Sequence, residues 1–247
     1  MKVEVFTLCW NEMAILPYAV KYWQDYAAKV TVYDNGSTDG SLEYMAQFPE
    51  LIEVRHFETG NQKNNTIQMM MKNNMWKEAR GRADLVVVCD LDEMLIPEAS
   101  AFDRLFNAGG ATICKPLWYD LLSDEIPTEE GYLDNLRPYA IFNPSSKVVV
   151  FNPNAIQEIN YNAGAHTCQP VGDVKWCGGD IYLLHANNAL SLEYRLERYK
   201  QQAARRSEDD IKKNHAIHYT FAPDKIIADW NEAKKHVVDF HAIITTW

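Results

Sequence analysis

Residues 85–93 have the sequence Leu-Val-Val-Val-Cys-Asp-Leu-Asp-Glu, and no other stretch says more about the fold class. Five apolar residues come first, without the polar alternation of a strand that faces water on one side. Such a run is typical of a central parallel strand that is covered on both faces. Three carboxylates follow within four positions, at the strand end where open α/β sheets bind their ligands. The stretch therefore predicts a buried strand with a functional site at its carboxyl end.

Strand-like and helix-like segments alternate on the amino-terminal side of this stretch. The predicted strands are rich in β-branched residues and lie at 3–8, 30–33, 52–57 and 85–89. The predicted helices carry apolar residues at steps of three and four and lie at 11–28, 41–47 and 66–79. This order predicts the α/β class, with a doubly wound, mostly parallel central sheet flanked by helices.

The rest of the chain is less regular. Further strands are predicted at 111–114, 147–151 and 181–184, a short helix at 102–107, and a loop-rich, acidic stretch at 118–137. A long amphipathic helix is predicted from about residue 191 to about residue 213, with Ser191 as its cap. We expect a single domain with three parts: a ligand-binding half at 1–98, a second half at 99–190 and carboxyl-terminal helices at 191–247.

The charge balance limits the class of partner. The 247 residues include 24 Lys and Arg and 34 Asp and Glu, a formal net charge of −10. A nucleic-acid-binding protein would normally carry a basic face, so we expect no nucleic acid partner. An anionic substrate stays compatible with this charge, because a bound metal ion reverses the local sign.

The chain has no feature of a secreted or membrane-spanning protein. It has five cysteines, an odd number, and its first residues lack the apolar stretch of a signal peptide. No segment reaches the ~20 apolar residues of a membrane span. We therefore expect a cytoplasmic location. A peripheral contact at the inner face of the membrane stays open, because the last segment carries scattered aromatic residues that end at Trp247.

Polar residues follow three of the predicted strands and would meet at one sheet edge. These residues are Asn11, Glu12, Asp34, Asn35, Asp90 and Asp92. Strand alternation places Asp90 and Asp92 on one side of the chain, where their hard oxygens suit Mg²⁺ or Mn²⁺. The alternative is structural: a solvated strand end at residues 90–93, a turn at residues 34–41, and a helix cap at Asn11.

Three segments together resemble the nucleotide-sugar-binding half of the glycosyltransferase family 2-like superfamily. They are Thr7 to Glu12, Tyr33 to Ser41 with its Tyr-Asp-Asn-Gly-Ser-Thr-Asp-Gly sequence, and Cys89 to Glu93 with its Asp-x-Asp-Glu sequence. The residues 184–188, which include a His and lead into the helix after Ser191, also look like this branch. The resemblance implies a GT-A fold with a Rossmann-like central sheet.

The resemblance also implies an activity. A sugar would pass from a nucleoside diphosphate donor, often UDP-linked, to a hydroxyl of a saccharide or lipid-linked acceptor, with inversion, in the synthesis of a surface polysaccharide or glycolipid. Residue by residue, it implies a nucleotide pocket at Thr7, Asn11 and Glu12, a base contact at Asp34 with Asn35, a ribose or metal contact at Asp90, and Mn²⁺ or Mg²⁺ ligands at Asp92 and His185.

The acceptor-activating base is not identified by this resemblance, because the chain has no clear Glu-Asp pair at the later position. The candidates are His166 and Asp180, followed by Asp120 and Glu158. An alternative use of His166 and His185 is a zinc site with Cys168 and Cys177, although the cysteine spacing is not that of a zinc ribbon or finger.

Two other functions on the same fold stay open. A nucleotidyltransferase also uses paired aspartates, but its Gly-rich basic loop is missing after the first strand. A non-catalytic nucleotide-sugar-binding module would explain the missing base. The basic side chains on the long helix, Arg195, Arg198, Lys200, Arg205 and Arg206, predict a solvated face. Their alternative is contact with a diphosphate-lipid acceptor or a membrane surface.

Overall fold

The elements described here come from a computed structural model, in which residues 1–97, 99–123, 140–177 and 181–238 are described. The strands are β1 (Val3–Cys9), β2 (Ala27–Asp34), β3 (Ile52–His56), β4 (Leu85–Asp90), β5 (Glu93–Pro97), β6 (Ile113–Cys114), β7 (Leu117–Leu122), β8 (Ala140–Asn143), β9 (Val150–Phe151), β10 (Ile156–Glu158), β11 (Val171–Gly172), β12 (Trp176–Cys177) and β13 (Ile181–Asn188). The helices are α1 (Leu16–Tyr26), α2 (Ser41–Met45), α3 (Asn65–Asn74), α4 (Ala99–Phe102), α5 (Leu192–Ala204), α6 (Glu208–Lys212) and α7 (Pro223–Ala233).

The larger sheet has seven strands in the order β12-β6-β9-β4-β1-β2-β3. Strands β4, β1, β2 and β3 are parallel neighbours, whereas β9 is antiparallel to both β4 and β6. The apolar run of β4 is buried throughout, as its sequence predicts for a strand covered on both faces. The predicted α/β class with a mostly parallel central sheet flanked by helices is confirmed.

A second, four-stranded sheet has the order β5-β13-β7-β8. Strand β5 begins directly after the carboxylate stretch and pairs antiparallel with β13, which places His185 opposite Glu93. On its other side β13 pairs parallel with β7, which places His185 opposite Asp120. This register brings residues from three distant parts of the sequence to one place.

The core joins the two sheets. One apolar cluster contains side chains of β1, β2 and β4 together with side chains of β5, β7 and β13, and it includes the fully buried Trp23 of α1. A second cluster lies on the other side of the larger sheet around Trp76 and Phe151, whose rings meet edge to face at 4.8 Å. The larger sheet is therefore covered by apolar side chains on both faces.

Several predicted elements have different bounds. The predicted helix at 11–28 begins only at Leu16, because residues 11–15 form a turn that is tied to the loop after β2, and it stops at Tyr26, where β2 begins. The long helix at 191–213 is broken into α5 and α6 at residues 205–207, where Ser207 caps the second helix. Its predicted cap Ser191 is confirmed, since the Oγ accepts a hydrogen bond from the Tyr194 N–H at 3.0 Å.

Other predictions miss strands. Residues 117–122, mostly assigned to a loop, form β7, and the strand β5 was not predicted at all. The predicted strand at 147–151 pairs only at Val150–Phe151. The division of the chain at residues 98 and 190 stays a prediction. Among the described residues, we find no helix that is both long enough and apolar enough to cross a bilayer.

Candidate active site

A cavity of about 570 Å³ opens at the carboxyl ends of β1, β2 and β4. Residues of β7, of β13 and of α5 complete its walls. Its lining includes six Lys and Arg side chains and four Asp and Glu side chains. The cavity is therefore locally cationic, in a chain whose net charge is −10.

Asp90, the last residue of β4, is held by two lysines. Its Oδ1 accepts a hydrogen bond from Lys72 Nζ at 2.5 Å, and its Oδ2 accepts one from Lys147 Nζ at 2.6 Å. Burial would raise the pKa of Asp90, but the two ammonium groups outweigh burial and hold this pKa well below its usual range. Lys147 also binds the buried carboxylate of Glu93. Two cations and two anions thus neutralise each other at this strand end.

Asp92 faces His185 instead. The Nε2 of His185 lies 3.4 Å from Asp92 Oδ2, and its Nδ1 lies 2.7 Å from Asp120 Oδ1. Asp120 also accepts hydrogen bonds from Trp118 Nε1 at 2.9 Å and from Asn143 Nδ2 at 2.8 Å, which fix its carboxylate. Burial would lower the pKa of His185, but the two carboxylates raise it well above its ordinary value.

The donor set fits a divalent cation. Ligand atoms of Asp92, Glu93 and His185 lie within 4.8 Å of one another. Glu93 is buried and its oxygens are engaged by Lys147 and the Asp90 N–H, so Asp92 and His185 are the two members that line the cavity. An imidazole whose second nitrogen is held by a carboxylate is a common metal ligand arrangement. Asp90 is not in this group, and both its oxygens are taken by lysines.

Glu12 follows β1 and lies against α5. Its Oε1 pairs with the guanidinium of Arg198, which also donates to the carbonyl of Trp10 at 3.0 Å. Burial raises the pKa of Glu12 to about 7; Arg198 and Lys63 oppose this rise, whereas Asp92 and Asp39 add to it. This carboxyl is consequently close to half protonated at neutral pH.

Three of the residues predicted for the nucleotide do not line the cavity. Thr7 is buried within β1. Asp34 is also buried, and its Oδ2 accepts hydrogen bonds from the N–H groups of Gly36 and Ser37 at 2.9 and 3.0 Å. Asn11 accepts a hydrogen bond from the Thr38 N–H at 2.7 Å through its Oδ1. The turn alternative describes Asp34, whereas the predicted helix cap at Asn11 is wrong because α1 begins later.

Asn35 and Glu12 are the predicted nucleotide residues that do line the cavity, together with Asp90. The side-chain amide of Asn35 donates to Thr59 Oγ1 at 2.9 Å and to the Gln62 carbonyl at 3.2 Å. These bonds connect the end of β2 to the loop after β3. The loop carries Lys63 into the cavity, which the sequence did not predict.

The candidate bases separate clearly. His166 lines the cavity, and its ring stacks on Trp118 with centroids 5.4 Å apart. Asp120 lines it too, but its oxygens are engaged as described above. Glu158 pairs with Lys77 at 2.6 Å and does not line the cavity. Asp180 lies outside the described residues.

The zinc alternative is not supported. Neither Cys168 nor Cys177 joins a group of potential metal ligands with His166 or His185 within the described ranges. The prediction of a solvated basic helix face is wrong for Arg195, Arg198 and Arg205, which line the cavity. It holds for Lys200, whose side chain is 80% exposed.

No protein-family model matches the chain, and neither does any curated protein. Among solved structures, TarS of S. aureus is similar with a TM-score of 0.47 and 16% identity over 94% of this chain and 43% of TarS. The structure of TarS 1–349 in complex with UDP is similar with a TM-score of 0.46 and 11% identity; the match covers 83% of this chain and 65% of the TarS chain. A third similar structure is the glucosyl-3-phosphoglycerate synthase of Mycobacterium tuberculosis in complex with Mn²⁺, UDP and glucosyl-3-phosphoglycerate. Its TM-score is 0.38 and its identity 14%, and the match covers 67% of this chain and 62% of the synthase.

The chain spans less than half the length of the TarS chain. All three TM-scores lie below 0.5.

Proposed function

We propose that this chain is a metal-dependent glycosyltransferase that moves a sugar from a UDP-linked donor to a hydroxyl group of a saccharide or lipid-linked acceptor, as in the synthesis of a surface polysaccharide or glycolipid. The observation that carries this proposal is the pairing of Asp92 with His185 inside a cavity at the carboxyl edge of the parallel strands. The resemblance of the segments at 7–12, 33–41 and 89–93 to nucleotide-sugar-binding motifs supports the same chemistry.

Asp92 and His185 would hold Mn²⁺ or Mg²⁺ on the wall of the cavity, with Asp120 fixing the imidazole. Such an ion supplies electrostatic stabilisation of the charge that develops on the leaving diphosphate. Asp90 has a different role in this proposal. It positions Lys72 and Lys147, whose remaining N–H groups are available to the donor.

Glu12 and Asn35 lie at the ends of β1 and β2 and line the part of the cavity that we assign to the nucleoside. Asn35 is fixed by its bonds to Thr59 and Gln62, so its carbonyl and amide have set directions. Asp34 contributes indirectly, because it holds the turn that orients Asn35. These assignments replace the direct base contact that the motif resemblance implies for Asp34.

His166 is our candidate for the general base. Its Nδ1 lies 2.9 Å from the Ser145 carbonyl, which accepts the Nδ1–H of the neutral ring and leaves Nε2 as the proton acceptor. The acceptor oxygen attacks the anomeric carbon, the bond from that carbon to the diphosphate oxygen breaks, and the hydroxyl proton passes to Nε2. A single displacement of this kind inverts the configuration at the anomeric carbon.

The test is release of UDP from UDP-linked sugars in the presence of Mn²⁺. We expect slow hydrolysis by the wild-type protein without an acceptor, and stimulation when a suitable saccharide is added. His166→Gln should lower turnover by about 100-fold while UDP affinity stays within about twofold, because the base does not bind the nucleotide. His236→Gln, at a histidine whose side chain is 65% exposed, is the matched control.

The outcomes separate the possible functions. Absence of both UDP binding and UDP release would contradict the proposal as a whole. UDP binding without any turnover, and without an effect of His166→Gln, would identify a binding module. Release of pyrophosphate from a nucleoside triphosphate would identify a nucleotidyltransferase.

A further inference from the structure

Lys63 and Arg205 are neighbouring cations on the wall of the cavity, although they come from distant parts of the chain. Lys63 lies in the loop before α3, and Arg205 follows α5 directly. The Lys63 N–H donates to the Arg205 carbonyl at 2.7 Å, and the Ser207 N–H donates to the Lys63 carbonyl at 2.9 Å. These two backbone bonds fix the starting points of both side chains.

The side chains of this pair contact rings and a carbonyl instead of carboxylates. Lys63 Nζ lies 5.1 Å from the centre of the Tyr219 ring. The Arg205 guanidinium carbon lies 3.3 Å from the centre of the Trp10 ring, and its Nε donates to the Asn61 carbonyl at 2.8 Å. The Nη2 of Arg205 is buried and has no hydrogen-bond partner.

Neither cation forms an ion pair in the part of the chain that the structure describes. The other cations of the cavity provide the contrast, since Lys72 and Lys147 bind Asp90, and Arg198 binds Glu12. Burial lowers the pKa of Lys63, and Arg198 and Arg205 lower it further, whereas Asp90 and Glu12 oppose the shift. Burial and Arg198 also lower the pKa of Arg205 to about 9. Two cations in a recess are costly to keep without an anion in direct contact with them.

We propose that Lys63 and Arg205 form a subsite for a phosphate group, and that this subsite works without the divalent cation. Both side chains line the cavity, and a planar guanidinium together with the compact charge of an ammonium group suits a phosphate with several acceptor oxygens. The phosphate belongs to the diphosphate of the donor or to a phosphorylated acceptor. Only this assignment of the phosphate to a sugar donor or to an acceptor rests on the proposed function; the subsite itself does not.

The experiment is calorimetric titration of pyrophosphate, UDP and uridine in the presence of EDTA. We expect wild-type protein to bind pyrophosphate without metal, and Lys63→Met and Arg205→Gln each to weaken this binding by about tenfold or more. Lys63→Arg should restore most of the affinity, because the charge is kept. Uridine affinity should stay within about twofold of wild type in all variants. Lys200→Met, on the exposed face of α5, is the matched control and should change nothing.

The source of the phosphate follows from the same variants. If the subsite serves the donor, Lys63→Met weakens UDP as much as pyrophosphate, and saturating UDP prevents inorganic phosphate from binding. If it serves the acceptor, UDP affinity is unchanged, and inorganic phosphate binds to the UDP complex in a way that depends on Lys63. Thermal unfolding checks that each variant is folded.

Equal pyrophosphate affinity in wild type and in both folded variants would overturn the subsite, as would absence of pyrophosphate binding to the wild-type protein. Failure of the glycosyltransferase proposal gives a different pattern. In that case pyrophosphate still binds through Lys63 and Arg205, while UDP-linked sugars are not hydrolysed with Mn²⁺.

Discussion

Two walls of the cavity handle charge in opposite ways. The carboxylate wall consists of Asp90, Asp92, Asp120 and His185, and each carboxylate there has a cationic or imidazole partner within hydrogen-bonding distance or close to it. The basic wall consists of Lys63, Arg198 and Arg205, of which Arg198 alone has a carboxylate partner among the described residues.

This difference distinguishes residues whose charges stabilise the folded site from residues whose charges are left for a ligand to neutralise. A wall that is neutralised internally contributes to folding, and removal of one partner leaves a buried charge behind. A wall with uncompensated charge contributes little to folding and is stabilised by an anionic ligand. The substitutions below test this separation.

The largest effect is expected where the carboxylate wall loses one of the two buried lysines that neutralise it. Lys147→Met removes an ammonium group that binds both Asp90 and Glu93, with a side chain that is 7% exposed. We expect the free energy of unfolding to fall by about 3–5 kcal/mol, because the fully buried Glu93 carboxylate loses its cationic partner, whereas Asp90 keeps Lys72. Urea unfolding followed by circular dichroism measures this change.

Lys77→Met is the control for Lys147→Met, because Lys77 pairs with Glu158 at 2.6 Å in a more exposed position. Its loss should cost about 1 kcal/mol or less. Similar values for the two variants would contradict the view that the carboxylate wall is a folding element. Addition of Glu93→Gln to Lys147→Met should recover part of the loss, since it removes the buried charge that Lys147→Met leaves unpaired.

The second effect concerns the metal. Asp92→Ala should weaken Mn²⁺ binding by about 100-fold, because it removes a carboxylate that faces His185 in the cavity. Titration of Mn²⁺ into the nucleotide-free protein, followed by electron paramagnetic resonance, measures this affinity. Asp229→Ala, at an exposed pair on α7, should leave it unchanged. A larger loss in Asp90→Ala than in Asp92→Ala would transfer the metal to Asp90 and contradict the assignment made here.

The sequence predicts the carboxylate wall better than the basic wall, and the reason is physical. Asp90 and Asp92 lie at the carboxyl end of a buried strand. Open parallel sheets bind their ligands at this end of their strands, so the sequence alone locates both residues. His185 follows from the motif resemblance. Asp120 was only a weak candidate for the base, because its partner role depends on the pairing of β7 with β13, which brings together strands far apart in sequence.

Lys72 and Lys147, the lysines that bind Asp90, are not predicted from the sequence either. Lys72 is the buried residue of α3 and lies next to three methionines, and Lys147 directly precedes an apolar run. A lysine in an apolar setting is a weak signal of a buried ion pair. The acidic strand end at residues 90–93 needs counter-charges, but its sequence does not say whether a metal or a distant lysine supplies them.

The third effect is a pH dependence of the free energy of unfolding. The pKa of Glu12 is raised to about 7 from an ordinary value of 4.5, so between these values the folded chain binds a proton that the unfolded chain has released. The free energy of unfolding therefore falls as pH rises, by about 2 kcal/mol between about pH 5 and pH 7 from this group. Glu12→Gln should remove this part of the slope in urea unfolding at a series of pH values. An unchanged slope would mean that Arg198 fully compensates the burial of Glu12, so that this pair is neutralised in the same way as the pairs of the carboxylate wall.

The smallest effect comes from Asp120, which acts through His185 and not on the metal itself. Asp120→Ala removes the acceptor at 2.7 Å from Nδ1 and should weaken Mn²⁺ binding by about tenfold, whereas Asp120→Asn keeps an acceptor oxygen and should weaken it by less. Because the ring orientation is what Asp120 supplies, the order Ala, then Asn, then wild type is the signature of positioning. Equal losses in the two variants would assign the effect to the charge of Asp120. The carboxylate wall would then influence the metal through its net charge and not through fixed geometry.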